Sequence, residues 1–202
     1  RDIATTVIDE RVEPLRMVTT DLVAMTVETF TARRAYQIAA RYSREGIPVV
    51  MGGHHPSMLP EESLDHADAV VVGDAEGAWE TVLADAAAGR VQRLYRSKPG
   101  DGGPPAYDRS VFAGRRYAPI SLVQAGRGCR FACDFCSIHA FYGTYRAQRD
   151  PDDIAAEMQT LPAHRMVFFV DDNLYWRRDA FVALMQALKP LKMRWCCQIT
   201  ID

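Results

Sequence analysis

Three cysteines fall within eight residues of the segment Gln124-Ala-Gly-Arg-Gly-Cys129-Arg-Phe-Ala-Cys133-Asp-Phe-Cys136-Ser-Ile-His139. Their spacing is C-x3-C-x2-C, and three thiolates this close repel one another unless a multivalent metal centre neutralises them. The count matters as much as the spacing. A closed zinc site or electron-transfer cluster takes four protein ligands, whereas an iron–sulfur cubane held by three cysteines leaves one iron open for chemistry. Gly126 and Gly128 permit the close backbone approach that a loop around such a centre needs. Arg127 and Arg130 either place positive charge beside an anionic cluster or are solvated loop residues. A second chemistry stays open on the same segment: the Cys136-x2-His139 spacing lets His139 serve as a fourth ligand of a closed, non-catalytic Fe–S or zinc site. Otherwise His139 and His164 are packing or surface residues. Cys196 and Cys197 lie in an apolar run with Trp195 and Ile199 and read as small core hydrophobes. Gln198 and Thr200 alternate along that run and could face a barrel interior.

The elements that must position the cysteines follow a βα rhythm. Ile120–Gln124 reads as a strand leading into the cysteine loop. Pro151–Leu161 reads as a helix with Asp150 as N-cap and Pro151 in its first turn. Met166–Val170 is a strand, Arg178–Leu188 a helix and Met193–Ile201 a third strand, so residues 119–202 have the pattern of the first βα units of an α/β barrel.

Residues 1–95 alternate in the same way. Ile3–Ile8 and Asp21–Val27 read as strands, Thr31–Glu45 as a helix closed by Gly46, and Ile47–Met51 as a strand stopped by Gly52-Gly53. A short helical turn at Glu61–His66, a strand at Ala67–Val72 and a helix at Glu76–Ala88 complete the series. Near-continuous apolar strands separated by helices imply a parallel sheet covered on both faces. Ligands of open α/β sheets bind at the carboxyl ends of the strands. Here those ends are Thr26-Val-Glu-Thr29, Gly52-Gly53-His54-His55-Pro56-Ser57 and Gly73-Asp74-Ala75-Glu76. Between the two halves, residues 96–118 change character: Ser97-Lys98-Pro99-Gly100-Asp101-Gly102-Gly103-Pro104-Pro105 reads as a linker.

The 202 residues are 48% hydrophobic and 25% charged with a formal net charge of −2, an ordinary globular composition. That balance gives no electrostatic reason to expect nucleic acid as a partner. No apolar run reaches the roughly 18 residues of a membrane span, and Arg1–Asp9 lacks the apolar core of a signal peptide. The cytoplasm is the expected location. Five cysteines, an odd number with three clustered, do not suggest a disulfide framework. The chain starts at Arg1 and stops at Asp202 on an apolar pattern, so a piece of a longer protein is expected, inactive by itself.

The cysteine loop resembles the signature of the radical S-adenosylmethionine (SAM) superfamily, in Cys129-x3-Cys133-x2-Cys136 with Phe135 before the last cysteine. The resemblance implies that the three thiolates hold a [4Fe–4S] cluster whose open iron chelates SAM. One electron, from a donor such as flavodoxin or ferredoxin, then cleaves SAM to methionine and a 5′-deoxyadenosyl radical, which abstracts hydrogen from a small-molecule substrate. It also implies that Phe135 lies beside the adenine, and that Asp171, Asp172 and Asn173 form the motif that meets the SAM amino group. That motif is Asp-Asp-Asn here and not the commoner Gly-Gly-Glu. Carboxylates suit an ammonium group, although the same residues could cap the following helix or form an acidic loop.

Upstream, the Gly-Gly-His-His-Pro and Gly-Asp-Ala-Glu stretches and Trp79 resemble the cobalamin (B12)-binding domain of one radical SAM branch, which includes methyltransferases and the anaerobic magnesium-protoporphyrin ester cyclase. The resemblance implies cobalamin contacts from Thr26, Gly52, Gly53, His54, Gly73 and Glu76. The Asp-x-His-x-x-Gly motif of domains that coordinate cobalt through histidine does not occur, and the first strand of such a domain is expected to lie outside this sequence, so neither His54 nor His55 is expected to ligate cobalt. The expected architecture is α/β: a partial doubly wound, flavodoxin-like parallel sheet over 1–95, a linker over 96–118, and the first three βα units of a truncated radical SAM (β/α) barrel over 119–202. Methylation, cyclisation and rearrangement all remain open as the reaction.

Overall fold

The computed structural model describes residues 3–100 and 107–200. They divide into two compact units, one spanning Leu15–Tyr107 and the other combining residues 3–14 with 108–200. The break at Tyr107 falls inside the segment read as a linker, most of whose loop, residues 101–106, lies outside the described residues.

In the first unit, β1 (Val23–Thr26), β2 (Val49–Gly52), β3 (Ala69–Val72) and β4 (Leu94–Arg96) form a parallel sheet in the order β1-β2-β3-β4. Between them run α1 (Ala32–Arg44), α2 (His54–Met58), α3 (Pro60–Leu64) and α4 (Trp79–Ala87). The alternation of valines across the pleat explains the layering. Val49, Met51 and Val70 point to the face covered by Ala32, Ala35, Ile38, Ala39 and Tyr42 of α1. Val50, Ala69 and Val71 point to the opposite face, where Ala78 and Val82 of the α4 segment cover them. Both faces are thus clothed, although no reversal of strand order occurs among the described strands.

The second unit contains β5 (Ile120–Val123), β6 (Gly126–Arg127), α5 (Ser137–Tyr142), β7 (Ala147–Gln148), α6 (Pro151–Gln159), β8 (Met166–Phe169), α7 (Arg178–Leu188) and β9 (Trp195–Cys196). A parallel sheet runs β5-β8-β9, and β6 pairs antiparallel with β7. Val123, Val167 and Phe169 are fully buried against Ile154, Met158 and Leu184 of the two long helices. Burial of each such side chain stabilises the unit by about 1.5–3 kcal/mol. The other face carries Ile120, Leu122 and Met166, which stay exposed. Asp150 caps α6 through a bond from the Asp152 amide at 2.8 Å, with Pro151 at the first helical position.

Three expectations are corrected. Ile3–Ile8 forms no strand, and Ile3 is 59% exposed. Residues 3–14 belong to the second unit: Arg115 donates to the Val7 carbonyl at 2.6 Å and pairs with Glu13 at 2.7 Å, and Tyr117 donates to Asp9 at 2.8 Å. An alternating pattern makes a strand only where another strand supplies its hydrogen bonds. Leu94–Arg96, by contrast, is the strand β4, completed by its pairing with β3. The last strand is short, Trp195–Cys196 alone, and Gln198 and Thr200 follow it as irregular chain.

Candidate functional site

The cysteine loop begins where β5 ends, and its path is set by backbone. Val170 N–H bonds to Val123 O, and Arg149 N–H to Ala125 O at 2.8 Å, so the chain leaves the sheet along β6. A β-carbon on Gly126 would stand 2.5 Å from Ala147 O, and one on Gly128 would stand 2.4 Å from Tyr145 O. Gly128 also has φ +80°, a conformation that L side chains rarely adopt. Both glycines are therefore required for β6 and β7 to close under the loop. Cys136 N–H turns back to Cys133 O at 3.1 Å.

All five cysteines are free thiols; Cys133 is exposed, while Cys129 and Cys136 are half-buried. Phe135, next to Cys136 in the chain, is 87% exposed. Among the described residues no three His, Cys, Asp or Glu side chains converge on one point. His139 Nδ1 is buried without a hydrogen-bond partner. The donor set itself fits a three-thiolate cluster: three unoxidised thiols on one loop, one already receiving an N–H on its sulfur.

The acidic loop follows β8, which pairs with β5, so the two loops emerge on the same sheet edge. The structure separates its three polar residues. Asp171 is only 5% exposed, and its Oδ2 accepts the Ala125 amide at 2.9 Å. Desolvation pushes its carboxyl up to about 6, against the opposing effect of bonds from the Ala125 and Gly126 backbone. Asp172 is the exposed carboxylate of the pair. Asn173 is buried; its Oδ1 accepts the amides of Tyr175 at 3.2 Å and Thr200 at 3.4 Å. Its Nδ2 donates to Thr200 Oγ1 at 3.4 Å and to Cys129 Sγ at 3.8 Å. The Arg130 guanidinium lies 4.6 Å from the Phe131 ring centre and 5.1 Å from that of Tyr175, joining the two loops. Cys197 packs against the helix-side core, and burial pushes its thiol up, so it behaves as a small apolar residue; Cys196 lies on the sheet's other face.

In the first unit the parallel strands bring Thr26, Gly52–His54 and Gly73–Glu76 to one edge. Ser57 joins two of these loops: its hydroxyl donates to Gly53 O at 2.8 Å and accepts the Gly73 amide at 3.0 Å. His54 is half-buried, whereas His55 is buried. His55 Nε2 lies 2.9 Å from Tyr36 Oη and Nδ1 3.4 Å from Thr29 Oγ1, and Tyr36 donates on to Glu62 at 3.0 Å. Both ring nitrogens of His55 are thus engaged within the unit. Phe30, beyond β1, is 88% exposed. The sequence signals Ser57 and His55 only weakly, because a loop reading cannot tell that α2 folds them inward.

A parallel α/β unit whose carboxyl edge collects glycine-rich loops is the architecture of a cofactor-binding domain, and residues 2–83 match the family model of the B12 binding domain. The chain is similar to bacteriochlorophyllide d C-12(1)-methyltransferase of Chlorobaculum tepidum, 30% identical over 90% of this chain and 42% of that protein. It also resembles the bacteriochlorophyllide d C-8(2)-methyltransferase of the same organism, 38% identical over 65% of this chain and 31% of that protein. A third relative is the anaerobic magnesium-protoporphyrin IX monomethyl ester cyclase of Rubrivivax gelatinosus, 25% identical over 93% of this chain and 39% of that enzyme. The chain spans less than half the length of each of these relatives.

Proposed function

We propose that this chain carries the cofactor sites of a B12-binding radical SAM enzyme whose reaction is methyl transfer to a small molecule. The observation that carries the reading is the pairing of a three-thiol loop with an acidic loop on adjacent parallel strands, in a chain whose first part matches a B12 domain. Methyl transfer is favoured over cyclisation or rearrangement because two of the relatives are named methyltransferases.

Cys129, Cys133 and Cys136 would hold a [4Fe–4S] cluster, and SAM bound to its open iron would supply, on one-electron reduction, a 5′-deoxyadenosyl radical. Asp172 is the solvent-facing carboxylate that would meet the SAM ammonium, since Asp171 is already spent on the backbone of Ala125 and Gly126. Phe135, nearly fully exposed beside Cys136, offers its face to the adenine. Thr26, Gly52, Gly53, His54, Gly73 and Glu76 would border cobalamin along the edge of the first unit. The exposed apolar face of Ile120, Leu122 and Met166 suits the interior of a barrel that further strands would close. A one-electron donor of the flavodoxin or ferredoxin kind would reduce the cluster.

Anaerobic reconstitution tests the reading directly. The expected result for the intact protein is about four iron and four sulfide per molecule, 5′-deoxyadenosine formed only with SAM and reductant, and hydroxocobalamin retained through gel filtration. Stoichiometric zinc without SAM cleavage would overturn the radical reading in favour of a closed, non-catalytic site. Well-folded protein that retains no cobalt would remove the cobalamin part alone.

A further inference from the structure

The side-chain amide of Asn173 is oriented by four partners, and their arrangement leaves one choice. Two backbone N–H groups, from Tyr175 at 3.2 Å and Thr200 at 3.4 Å, point at the same terminal atom of the side chain. Only the amide oxygen can accept them, so the NH2 group must occupy the other branch. There it meets Thr200 Oγ1 at 3.4 Å and Cys129 Sγ at 3.8 Å. One amide hydrogen serves each acceptor. Asn173 is buried, 8% exposed, so water does not compete freely for that hydrogen. It follows Asp171, whose Oδ2 holds the Ala125 amide at the start of the cysteine loop. The β8 loop thereby fixes both the take-off of the cysteine loop and the sulfur of its first cysteine.

We propose that Asn173 is a positioning residue for the cluster, giving an N–H···S hydrogen bond to Cys129 that raises the cluster's reduction potential. The inference rests on the reading of Cys129, Cys133 and Cys136 as cluster ligands. Hydrogen bonds to cluster sulfurs stabilise the reduced, more negative state, and removal of one lowers the potential. Among the described residues Cys129 is the cysteine that receives this bond from the acidic loop, so its thiolate would differ in environment from those of Cys133 and Cys136 once a cluster is held. A role for Asn173 toward the SAM amino group is correspondingly displaced onto Asp172.

The test is the midpoint potential of the reconstituted cluster, read by the electron paramagnetic resonance signal of its reduced form during a redox titration. Asn173→Asp keeps the oxygen that accepts Tyr175 and Thr200 but replaces the donor by an acceptor, and its potential is expected to shift to a lower value. Asn173→Ala removes the donor without adding charge and is expected to shift in the same direction by less. Thr200→Val disturbs the anchor but not the donor to sulfur, and its potential should match the wild type. Equal potentials in wild type, Asn173→Asp and Asn173→Ala would overturn the proposal while leaving the cluster assignment intact. A shift in Thr200→Val as large as in Asn173→Ala would also overturn it, since packing alone would then account for the change. Wild-type protein that assembles no iron–sulfur cluster would overturn the cluster reading and this inference together, a result visible in the iron content before any titration.

Discussion

Asp171 shows how burial and hydrogen bonding compete at one residue. Backbone N–H groups favour its ionised form, but desolvation outweighs them and lifts the carboxyl from its ordinary 3.8 to about 6. A group whose folded pKa is raised contributes stability that is fully present below about 3.8 and is lost as pH rises through about 6. Roughly two pH units correspond to on the order of 3 kcal/mol between those limits. The amide introduced by Asp171→Asn has no such titration. Thermal unfolding of wild type and Asp171→Asn at about pH 4.5 and about pH 7.5, either side of the raised pKa, should therefore show a smaller loss of stability with rising pH in the variant. Parallel curves would mean that the carboxyl does not titrate in this window. The sequence marked Asp171, Asp172 and Asn173 as one acidic motif. It could not divide them, because which of three neighbouring side chains turns inward is decided by Ala125 and Cys129, far back along the chain.

At the scale of elements, the short β6–β7 ribbon bears the cysteine loop, and its tolerance for side chains is minimal. Gly128→Ala would require a left-handed conformation costing about 1–2 kcal/mol and would bring a methyl group against Tyr145 O. Reconstituted Gly128→Ala is expected to hold several-fold less iron than wild type, with far-ultraviolet circular dichroism little changed. Gly143→Ala is the comparison, since its β-carbon would meet nothing within 4 Å; it should load iron better than Gly128→Ala despite its own positive φ. Equal loading in the two variants would show that the ribbon can yield. Another tie is electrostatic: Glu157 of α6 accepts Arg109 at 2.5 Å and Arg149 at 2.6 Å, while the same arginines reach Leu122 O and Gln124 O at 2.8 Å. One carboxylate thereby anchors a helix to the carbonyl end of β5, immediately before the cysteines.

Across the whole molecule, the two units have separate cores and bear separate candidate cofactor sites. Each should lose its cofactor alone. The combined variant Cys129→Ala, Cys133→Ala and Cys136→Ala is expected to bind no iron yet to retain hydroxocobalamin to the wild-type extent. Loss of cobalt from that variant would mean that the cluster loop supports the B12 site. Among the described residues no helix is long and apolar enough to cross a membrane.

By itself, the sequence determined the features that arise locally: the thiol spacing, the glycines of the loop, the Asp150-Pro151 helix start and most apolar strand and helix cores. Each depends on side-chain size, backbone freedom or period over a few neighbours. What only the tertiary structure decided depends on partners distant in the chain. Ile3–Ile8 had the pattern of a strand but no strand to pair with, and Leu94–Arg96 became one through β3. His55, not His54, went inside because Tyr36 and Thr29 were there to receive it. The three-residue acidic motif was divided into a backbone clamp, an exposed carboxylate and a donor to sulfur, because burial must satisfy each polar atom with whatever the fold brings beside it.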